Sequence, residues 1–451
     1  MNDPNGLIYW KGRYHLFYQY NPDSTAHENI SWGHASSEDL VHWDDLPLAL
    51  GPTPGSVDED GCWSGRALAH RGEVHLLYTG YSGGRQRPCL ARALDDELTR
   101  FEKFAGNPVI AEEPLANLVG FRDCALWQAE DGFHQLVGSG TVDLGGCLLE
   151  YASADLAHWA YCGVFLSGEG SGIPGTMWEC PDIFQIGGQW FVVVSVMEGR
   201  ELSRVVYVEG AFDGRRFIAK DNGRVDTGSR WYAPQSFDAP GSRRVIFGWL
   251  KEREETLPAE ERGRVGVMSL PRQLYVTPGG TLGMAPVAEL QLLRRTPLTP
   301  PWPSSDGPGT EGAVVLRSER ALDAAEVEVA CLEGSRAEVN LIDGDGAVVV
   351  NVAVSSDGIH MGTAPASPLA RAVWAPSGAR RMQNTGSLRV FYDRGICEVF
   401  SPTGEARAEI FYGCQPVRGV SASRKSAEGR TIPSSSADVR SWELADIWLQ
   451  H

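Results

Sequence analysis

Three acidic residues stand at a nearly constant distance before a recurring apolar segment of the chain. Asp3, Asp123 and Glu179 lie 11, 10 and 11 residues before the start of such a segment. Carboxyl groups that share a small, partly desolvated cavity acquire different pKa values, so one can donate a proton while another attacks as a nucleophile. Hydrolysis of a glycosidic bond uses a pair of carboxyl groups in this way. The spacing therefore indicates a candidate hydrolytic site.

Two other copies of the segment carry uncharged polar residues at the same place. Ser64 and Gln235 lie 10 and 9 residues before their segments. Taken singly, residues at this position of the repeat have structural interpretations. Asp3 next to Pro4 is ordinary turn chemistry, and Ser64 could cap a strand. Their common position, which we expect to be just before the first strand of each hairpin, favours a site instead.

The recurring segment is apolar and rich in residues that favour β-strands. Its five copies start at residues 14, 74, 133, 190 and 244, and the starts are 60, 59, 57 and 54 residues apart. Each follows a short glycine-containing turn, which predicts a β-hairpin. Five such units predict an all-β fold, a five-bladed β-propeller. The alternative is an array of β-sandwiches with accidental regularity.

A propeller would bring the three acids together. Its innermost strands surround one channel, so equivalent positions of different blades converge around the axis. Arg122 is expected to keep the neighbouring Asp123 ionised and to bind hydroxyl groups. Aromatic residues that suit the faces of sugar rings flank the polar positions: Trp10, Trp63, Phe121 and Trp178.

The repeat stops after about residue 278, and a different organisation follows. Residues 286–312 contain one short predicted helix and a Pro- and Gly-rich stretch, which predict a linker. Residues 313–451 return to short alternating segments, which predict a β-sandwich. The predicted domains are therefore a catalytic propeller (1–285), a linker (286–312) and a sandwich (313–451).

Composition excludes several classes of partner. The formal net charge of −18 argues against nucleic acid and anionic membranes, and no apolar run reaches the roughly 18 residues of a membrane helix. The nine cysteines include no C-x-x-C pair, so no metal or cofactor is expected. Reduced thiols and the lack of a signal peptide predict a cytoplasmic protein. Residues 82–87 (SGGRQR) are predicted to form an exposed turn.

The motifs resemble those of glycoside hydrolase family 32, the invertase, levanase and inulinase family, over nearly the whole chain. NDPNG, YHLFYQYNP, WGHASSEDLVHW, GCWSG, FRD, WECPDIF, YAPQSF and LPRQL occur in the family's order, and CEVFSPTG resembles its sandwich strand. The resemblance implies a five-bladed propeller, a C-terminal β-sandwich and a retaining mechanism on β-fructofuranosides. Sucrose or short fructo-oligosaccharides are the expected substrates.

The resemblance also implies roles for individual residues. Asp3 resembles the nucleophile, Glu179 the general acid/base and Asp123 the transition-state stabiliser, and Cys180 is expected to tune the pKa of Glu179. The residues expected to bind substrate are Asn2, Gln19, His27, Trp63, Ser64, Arg122, Tyr232 and Trp249. The chain departs from the family pattern at three positions: His27 replaces a tryptophan, Cys124 a proline and Arg66 a commoner serine.

Several alternatives remain open at this stage. Within the family, an exo-fructanase acting on levan or inulin, or a fructosyltransferase, would carry the same motifs. An inverting arabinan- or xylan-cleaving enzyme uses similar acids, and a non-catalytic carbohydrate-binding propeller would use none. Family members carry a lead-in segment before NDPNG, so Met1 is expected to be a late-assigned start or a truncation. The oligomeric state is not indicated.

Overall fold

The computed structural model describes residues 1–252, 265–298, 313–318, 320–331, 335–355, 357–363, 386–412, 414–426, 431–432 and 439–445. Almost all of the regular structure in these residues is β-strand. The described chain forms two compact units. Among the described residues, the first comprises 1–225, 229–252 and 265–282, and the second comprises 226–228 and those from 283 onwards.

In its described residues, the first unit contains five antiparallel sheets whose strands follow chain order. The first two sheets are β1 (Pro4–Trp10), β2 (Arg13–Tyr20), β3 (Ser31–Ser37) and β4 (Trp43–Leu50), then β5 (Gly61–His70), β6 (Glu73–Ser82), β7 (Arg85–Ala93) and β8 (Phe101–Lys103). The third is β9 (Phe121–Ala129), β10 (Gly132–Thr141), β11 (Gly145–Ser153) and β12 (Ala160–Ser167), followed by helix α1 (Gly168–Ser171). The fourth is β13 (Met177–Ile186), β14 (Gln189–Glu198), β15 (Glu201–Phe212) and β16 (Phe217–Arg224). The fifth contains β17 (Trp231–Ala239), β18 (Arg243–Leu250) and β20 (Arg272–Val276), with β19 (Val267–Met268) paired to β18.

The recurring segment forms the second strand of each sheet, as the pattern predicts. In the first two sheets the hairpin turn places Gly12 and Gly72 in the left-handed region, with φ of 92° and 82°. Glycine adopts that conformation without steric cost, so the polar-glycine turns bring the two strands into register. The predicted all-β fold is confirmed.

The first strands of the five sheets form a closed ring. β1 contacts β5 and β17, β9 contacts β5 and β13, and β13 contacts β17. Gln235 on β17 ties the ring together, because its Oε1 accepts from Leu7 N at 2.9 Å and its Nε2 donates to Gly65 O at 2.9 Å. This is the arrangement of a β-propeller, and its sheets equal the sequence repeats in number.

Apolar side chains fill the spaces between neighbouring sheets. Phe17 and Trp32 of the first sheet pack with Leu76 and Tyr78 of the second. An equivalent cluster between the third and fourth sheets contains Leu136, Leu148, Val192 and Val194. Burial of this surface stabilises the ring by the hydrophobic effect, and it fixes the first strands on which the polar residues lie.

The second unit is a β-sandwich. After β21 (Leu282–Pro286), one sheet has the order β22 (Arg294–Pro297), β33 (Val439–Leu444), β24 (Ala324–Cys331), β28 (Gly386–Asp393), β29 (Ile396–Phe400), β30 (Ala406–Ile410). The other has the order β23 (Val314–Arg317), β31 (Gly419–Lys425), β25 (Arg336–Ile342), β26 (Val348–Ser355), β27 (Gly358–Gly362), with β32 (Thr431–Ile432) paired to β31. Val327 and Leu388 of the first sheet share one buried cluster with Val339 and Val350 of the second.

The predicted linker is structured where it is described. Its short helix is a 3-10 helix at Ala288–Leu293, and residues 294–297 form β22, which pairs with β33. Residues 299–312 lie outside the described residues, so the predicted domain limits stay a prediction. Within the described part of the chain, no helix is both long and apolar enough to cross a membrane.

Candidate active site

The polar residues of the common register lie where the first strands are irregular. Ser64, Asp123 and Glu179 lie inside β5, β9 and β13, and Asp3 directly precedes β1. Gln235 lies inside β17 as well, so the expectation that the five residues come just before the first strands is wrong for four of them. In β5, β9, β13 and β17 the ladder shifts register at or beside the polar residue. In β1 the shift lies between Asn5 and Ile8, beyond Asp3. A β-bulge inserts an extra residue and redirects a side chain, which explains how they turn towards the site.

The bulges place three non-glycine residues in the left-handed region. The φ angles are 55° at Asp123, 46° at Cys180 and 47° at Ala233. Such a conformation costs on the order of 1–3 kcal/mol per residue and persists only where the surrounding structure enforces it. Of the three, Asp123 and Cys180 are in direct contact, because Cys180 N donates to Oδ2 of Asp123.

Asp3 is held by both its backbone and its side chain. Gln19 N donates to Asp3 O, and Asn2 N donates to Gln19 O, each at 3.0 Å. Asn2 Nδ2 donates to Oδ1 of Asp3 at 3.0 Å, and Ser64 Oγ donates to Oδ2 at 2.6 Å. The carboxylate of Asp3 therefore has a fixed orientation.

The thiol of Cys180 bridges two of the predicted carboxyl groups. Its Sγ lies 3.5 Å from Oδ2 of Asp3 and 3.5 Å from Oδ2 of Asp123. The backbone N of Cys180 also donates to Oδ2 of Asp123 at 3.1 Å. Burial, and then the neighbouring carboxylates, raise the pKa of Cys180 well above its usual value, so the thiol is a donor. The thiol hydrogen-bonds to the other two acids, and the expectation that Cys180 also acts on Glu179 stays a prediction.

Asp123 is the acid whose ionisation is most changed by the fold. Burial raises its pKa to about 7; the charge of Arg122 opposes this rise, and the charges of Glu179 and Asp3 add to it. The expectation that Arg122 keeps Asp123 ionised is therefore wrong. The physical reason is that desolvation outweighs the attraction, because the Arg122 side chain turns towards Glu179.

Glu179 receives hydrogen bonds on both of its oxygens. Arg122 donates to Oε1 from Nε at 3.1 Å and from Nη2 at 2.7 Å. The Tyr232 hydroxyl donates to Oε2 at 2.8 Å. Burial, and next the charge of Glu179, raise the pKa of Tyr232, so its hydroxyl keeps its proton. Glu179 is thus held from two neighbouring sheets.

An aromatic wall stands beside these acids. The rings of Trp63 and Tyr81 stack at 4.2 Å, and the ring of His27 meets Trp63 edge-on at 5.5 Å. His27 is exposed, whereas Trp63 is half-buried. Such a surface can pack against the face of a sugar ring, and the polar His27 lies at its outer edge.

The structure brings most of the predicted residues together. Asn2, Ser64, Arg122 and Tyr232 contact the acids directly. Gln19 is buried, and its Nε2 donates to Cys62 O at 3.1 Å, so it lines the site from behind. Trp249 pairs with Tyr232 across β17 and β18, and no contact with the acids is seen for it among the described residues.

Sequence reasoning missed Gln86. It was placed in an exposed turn, but only Gly83 and Gly84 form the turn, and Gln86 belongs to β7. Its Oε1 accepts from Phe121 N at 2.9 Å and from Arg122 Nη1 at 3.1 Å. The signal that could have found it is its place opposite Tyr81 in the β6–β7 ladder, which needs the register of the sheet. No group of three metal-binding side chains with suitable geometry occurs among the residues that the structure describes.

The comparisons with known proteins define the class. The family model for the glycosyl hydrolases family 32 N-terminal domain matches residues 1–286. The chain therefore belongs to glycoside hydrolase family 32.

Its curated relatives include bacterial sucrose-6-phosphate hydrolases. That of Zymomonas mobilis is 34% identical over 320 residues, which are 66% of this chain and 61% of the relative. That of Klebsiella pneumoniae is 31% identical over 90% of this chain and 84% of its own length. The chain thus spans less than two thirds of the Zymomonas mobilis protein.

Solved structures share the fold. A Bombyx mori family 32 β-fructofuranosidase has a TM-score of 0.74 at 26% identity and covers 99% of this chain and 92% of its own. The sucrose-6-phosphate hydrolase of Lactobacillus gasseri has a TM-score of 0.75 at 22% identity, covering 99% of this chain and 91% of its own. The second likeness concerns the fold alone.

Proposed function

We propose that the protein is a retaining β-fructofuranosidase that releases fructose from sucrose or short fructo-oligosaccharides. The observation that carries the proposal is the convergence of Asp3, Asp123 and Glu179, two of which share the Cys180 thiol at 3.5 Å. Their spacing in the sequence and membership of family 32 support the same conclusion.

The proposed reaction has two steps. Glu179 protonates the glycosidic oxygen while Asp3 attacks the anomeric carbon, which gives a covalent fructosyl-enzyme. Water activated by Glu179 then releases fructose. Asp3 suits the attack because Asn2 and Ser64 fix its carboxylate, and a fixed geometry removes part of the entropic cost of the reaction.

Asp123 has a different task in this scheme. With a pKa of about 7, its carboxyl group can donate or accept a hydrogen bond near neutral pH. We assign it to the fructose hydroxyls, where bonds that strengthen in the transition state lower the barrier. The wall of Trp63 and Tyr81 would hold the sugar ring.

The test is release of fructose from sucrose, with Asp3→Asn and Glu179→Gln as variants. Loss of the general acid should lower kcat by about 10²–10⁴-fold, and loss of the nucleophile at least as much. Asp143→Asn, at an exposed acid outside the site, is the matched control and should keep full activity. If the wild type releases no fructose from sucrose, sucrose 6-phosphate, inulin or levan, the proposal fails.

The stereochemistry separates this proposal from the inverting alternative. A retaining enzyme has its carboxyl groups about 5–5.5 Å apart and an inverting one about 6.5–9.5 Å. NMR of the first product should show the β-anomer of fructose. First appearance of the α-anomer would favour an inverting enzyme on the same type of propeller.

Sucrose 6-phosphate is the second candidate substrate. It is favoured by the relatives from Zymomonas mobilis and Klebsiella pneumoniae, which are named sucrose-6-phosphate hydrolases. The ratio of kcat/KM for the phosphorylated and free sugars decides between them.

Product chromatography with inulin, levan and concentrated sucrose tests the exo-fructanase and fructosyltransferase alternatives. Calorimetric binding of a fructan without turnover would instead indicate a carbohydrate-binding protein.

A further inference from the structure

Gln86 makes an unusual pair of contacts for a residue on a third strand. Its single amide oxygen accepts from the backbone of Phe121 at 2.9 Å and from Nη1 of Arg122 at 3.1 Å. One atom of the second sheet therefore fixes both the start of β9 and the side chain that follows. Asp123, the left-handed bulge residue, comes next in the chain.

Gln86 belongs to a set of three residues that surround the guanidinium, which we name the arginine cradle: Gln86, Trp63 and Met197. Sδ of Met197 lies 3.3 Å from Nη2 of Arg122. The ring of Trp63 lies 5.9 Å from the guanidinium carbon. A sulfur atom and an aromatic face bind a cation weakly and with little directionality. Gln86 is therefore the cradle residue that sets direction.

Direction matters because the guanidinium is a rigid plane. Its donors form a fixed fork, so a bond at Nη1 restricts where Nε and Nη2 can point. Both of these atoms donate to Oε1 of Glu179, at 3.1 and 2.7 Å. Loss of the Gln86 acceptor leaves the plane free to rotate about the side-chain torsions, and the two bonds to Glu179 then weaken together.

We propose that Gln86 is a positioning residue that acts through Arg122, holding the guanidinium in the plane in which it pairs with Glu179. The expected consequence is control of the pH dependence of the proposed reaction. The inference rests on the proposed function, because Glu179 is a proton donor only in that reaction.

The charged surroundings of Glu179 make Arg122 the decisive partner. The titratable or charged groups that face it are Asp3, Arg122, Asp123, Cys180, Tyr232 and, over the Tyr232 ring, Lys251. Nζ of Lys251 lies 4.7 Å from the centre of that ring and donates to Leu202 O at 2.8 Å. Arg122 is the cation that hydrogen-bonds to Glu179 in the described structure, so a looser Arg122 stabilises the charge on the Glu179 carboxylate less.

The experiment compares two substitutions of Gln86 with a control. Gln86→Met removes the acceptor at similar volume, and Gln86→Glu keeps it but adds a charge that competes with Glu179 for Arg122. We expect Gln86→Met to lower kcat about tenfold with little change in KM, as for one buried donor left unpaired. In Gln86→Met the alkaline limb of the pH–rate profile should shift to higher pH by up to about one pH unit. In Gln86→Glu the shift should be larger. Gln185→Met, at an exposed glutamine on β13, should change neither kcat nor the profile.

The outcomes separate this inference from the proposed function. An equal loss of activity at every pH, or a lower Tm with an unchanged profile, would show that Gln86 only supports the fold, while fructoside hydrolysis stands. An inert wild type refutes the proposed function and this inference with it. If Gln86→Met does not fold, the profile of Gln86→Glu decides, because that variant retains an acceptor for the Phe121 N–H.

Discussion

At Asp123 the requirements of the site oppose those of folding. Burial raises the pKa of this carboxyl to about 7 from a usual value of 3.8. Between these two values the folded chain binds more protons at Asp123 than the unfolded chain does. The free energy of unfolding therefore falls as pH rises through this range. Above pH 7 the folded protein holds an ionised carboxylate where burial disfavours it.

Replacing this carboxyl should stabilise the protein while it removes activity. We expect Asp123→Asn to raise the free energy of unfolding by about 1 kcal/mol or more at pH 8, since each pKa unit corresponds to about 1.4 kcal/mol. The gain should shrink towards pH 4, where Asp123 is almost fully protonated in the folded state and about half protonated in the unfolded state. Urea unfolding at the two pH values measures it. A gain of equal size at both would show that the carboxyl does not titrate as described.

At the scale of elements, β2 and β3 enclose a pair of histidines. Nδ1 of His15 lies 3.0 Å from Nε2 of His34, and the ring of His34 stacks on Phe17 at 4.0 Å. Burial lowers the pKa of His15 to about 4, with a smaller effect of Arg13. Burial, and next His15, lower the pKa of His34 to about 3, against an opposing effect of Asp95. Both rings are therefore neutral in the folded protein.

This pair should make the first sheet sensitive to acid. An unfolded histidine takes up a proton near pH 6.5, and the folded one does so only near pH 4 or below. Stability is thus present above about pH 6.5 and is lost as pH falls, by up to about 1.4 kcal/mol per pH unit per histidine. Thermal unfolding between pH 4 and 7 should show a flatter dependence for the double variant His15→Leu/His34→Phe. His158→Gln, at an exposed histidine, should retain the wild-type slope, and a double variant with that slope would contradict the explanation.

The hairpins were predictable from the sequence, whereas the bulges were not. A hairpin leaves a clear pattern, an apolar strand after a polar glycine turn, and it recurs five times. A bulge adds one residue without changing composition. Gly65 was the available hint: a Cβ there would lie 1.9 Å from Leu77 O, which shows how closely β5 and β6 approach beside Ser64.

The residues of the site were predictable as a group, but their pairing was not. Register and motif identified the three acids, because both depend on chain position. The direction of Arg122, the bridge made by Cys180 and the contact of Gln86 depend on distances between different sheets. Those distances are set by side-chain packing across the ring, which no local pattern in the sequence records.

At the scale of the whole molecule, Arg66 connects three sheets. It extends from β5 to form an ion pair with Asp182 on β13, and its Nη1 donates to Ser236 O on β17 at 2.5 Å. Oδ2 of Asp182 also accepts from Ser236 N at 2.8 Å and from Ser236 Oγ at 2.6 Å. The Asp182 side chain is 1% exposed. The arginine found in place of a serine thus belongs to a buried charge network.

Removing Arg66 should destabilise the first unit strongly. Breaking a buried pair from one side costs about 3–5 kcal/mol where the partner charge is left without compensation. Nη2 of Arg244 also lies 3.5 Å from Oδ1 of Asp182, so the loss should fall in the lower part of this range. We expect that loss for Arg66→Met in urea unfolding, and a smaller one when Asp182→Asn is added, since asparagine removes the charge and still accepts from Ser236. Arg215→Met, at an exposed arginine, should stay within about 0.5 kcal/mol of the wild type. A double variant less stable than Arg66→Met would contradict the charge argument.

The ring of first strands is closed by contacts between β1 and β17, and this has a consequence for the folding kinetics. The bond from Leu7 N to Gln235 joins residues that are 228 positions apart, and contacts of such long sequence separation form late because their loop entropy must be overcome first. Asp3 directly precedes β1, so the candidate active site is complete only when the ring is closed. During refolding from urea, the proposed fructose-releasing activity should return more slowly than the far-ultraviolet circular dichroism of the strands. Equal rates would show that closure is not a separate late step. If activity lags behind the circular dichroism signal, its recovery measures the rate of the last event in the assembly of the propeller.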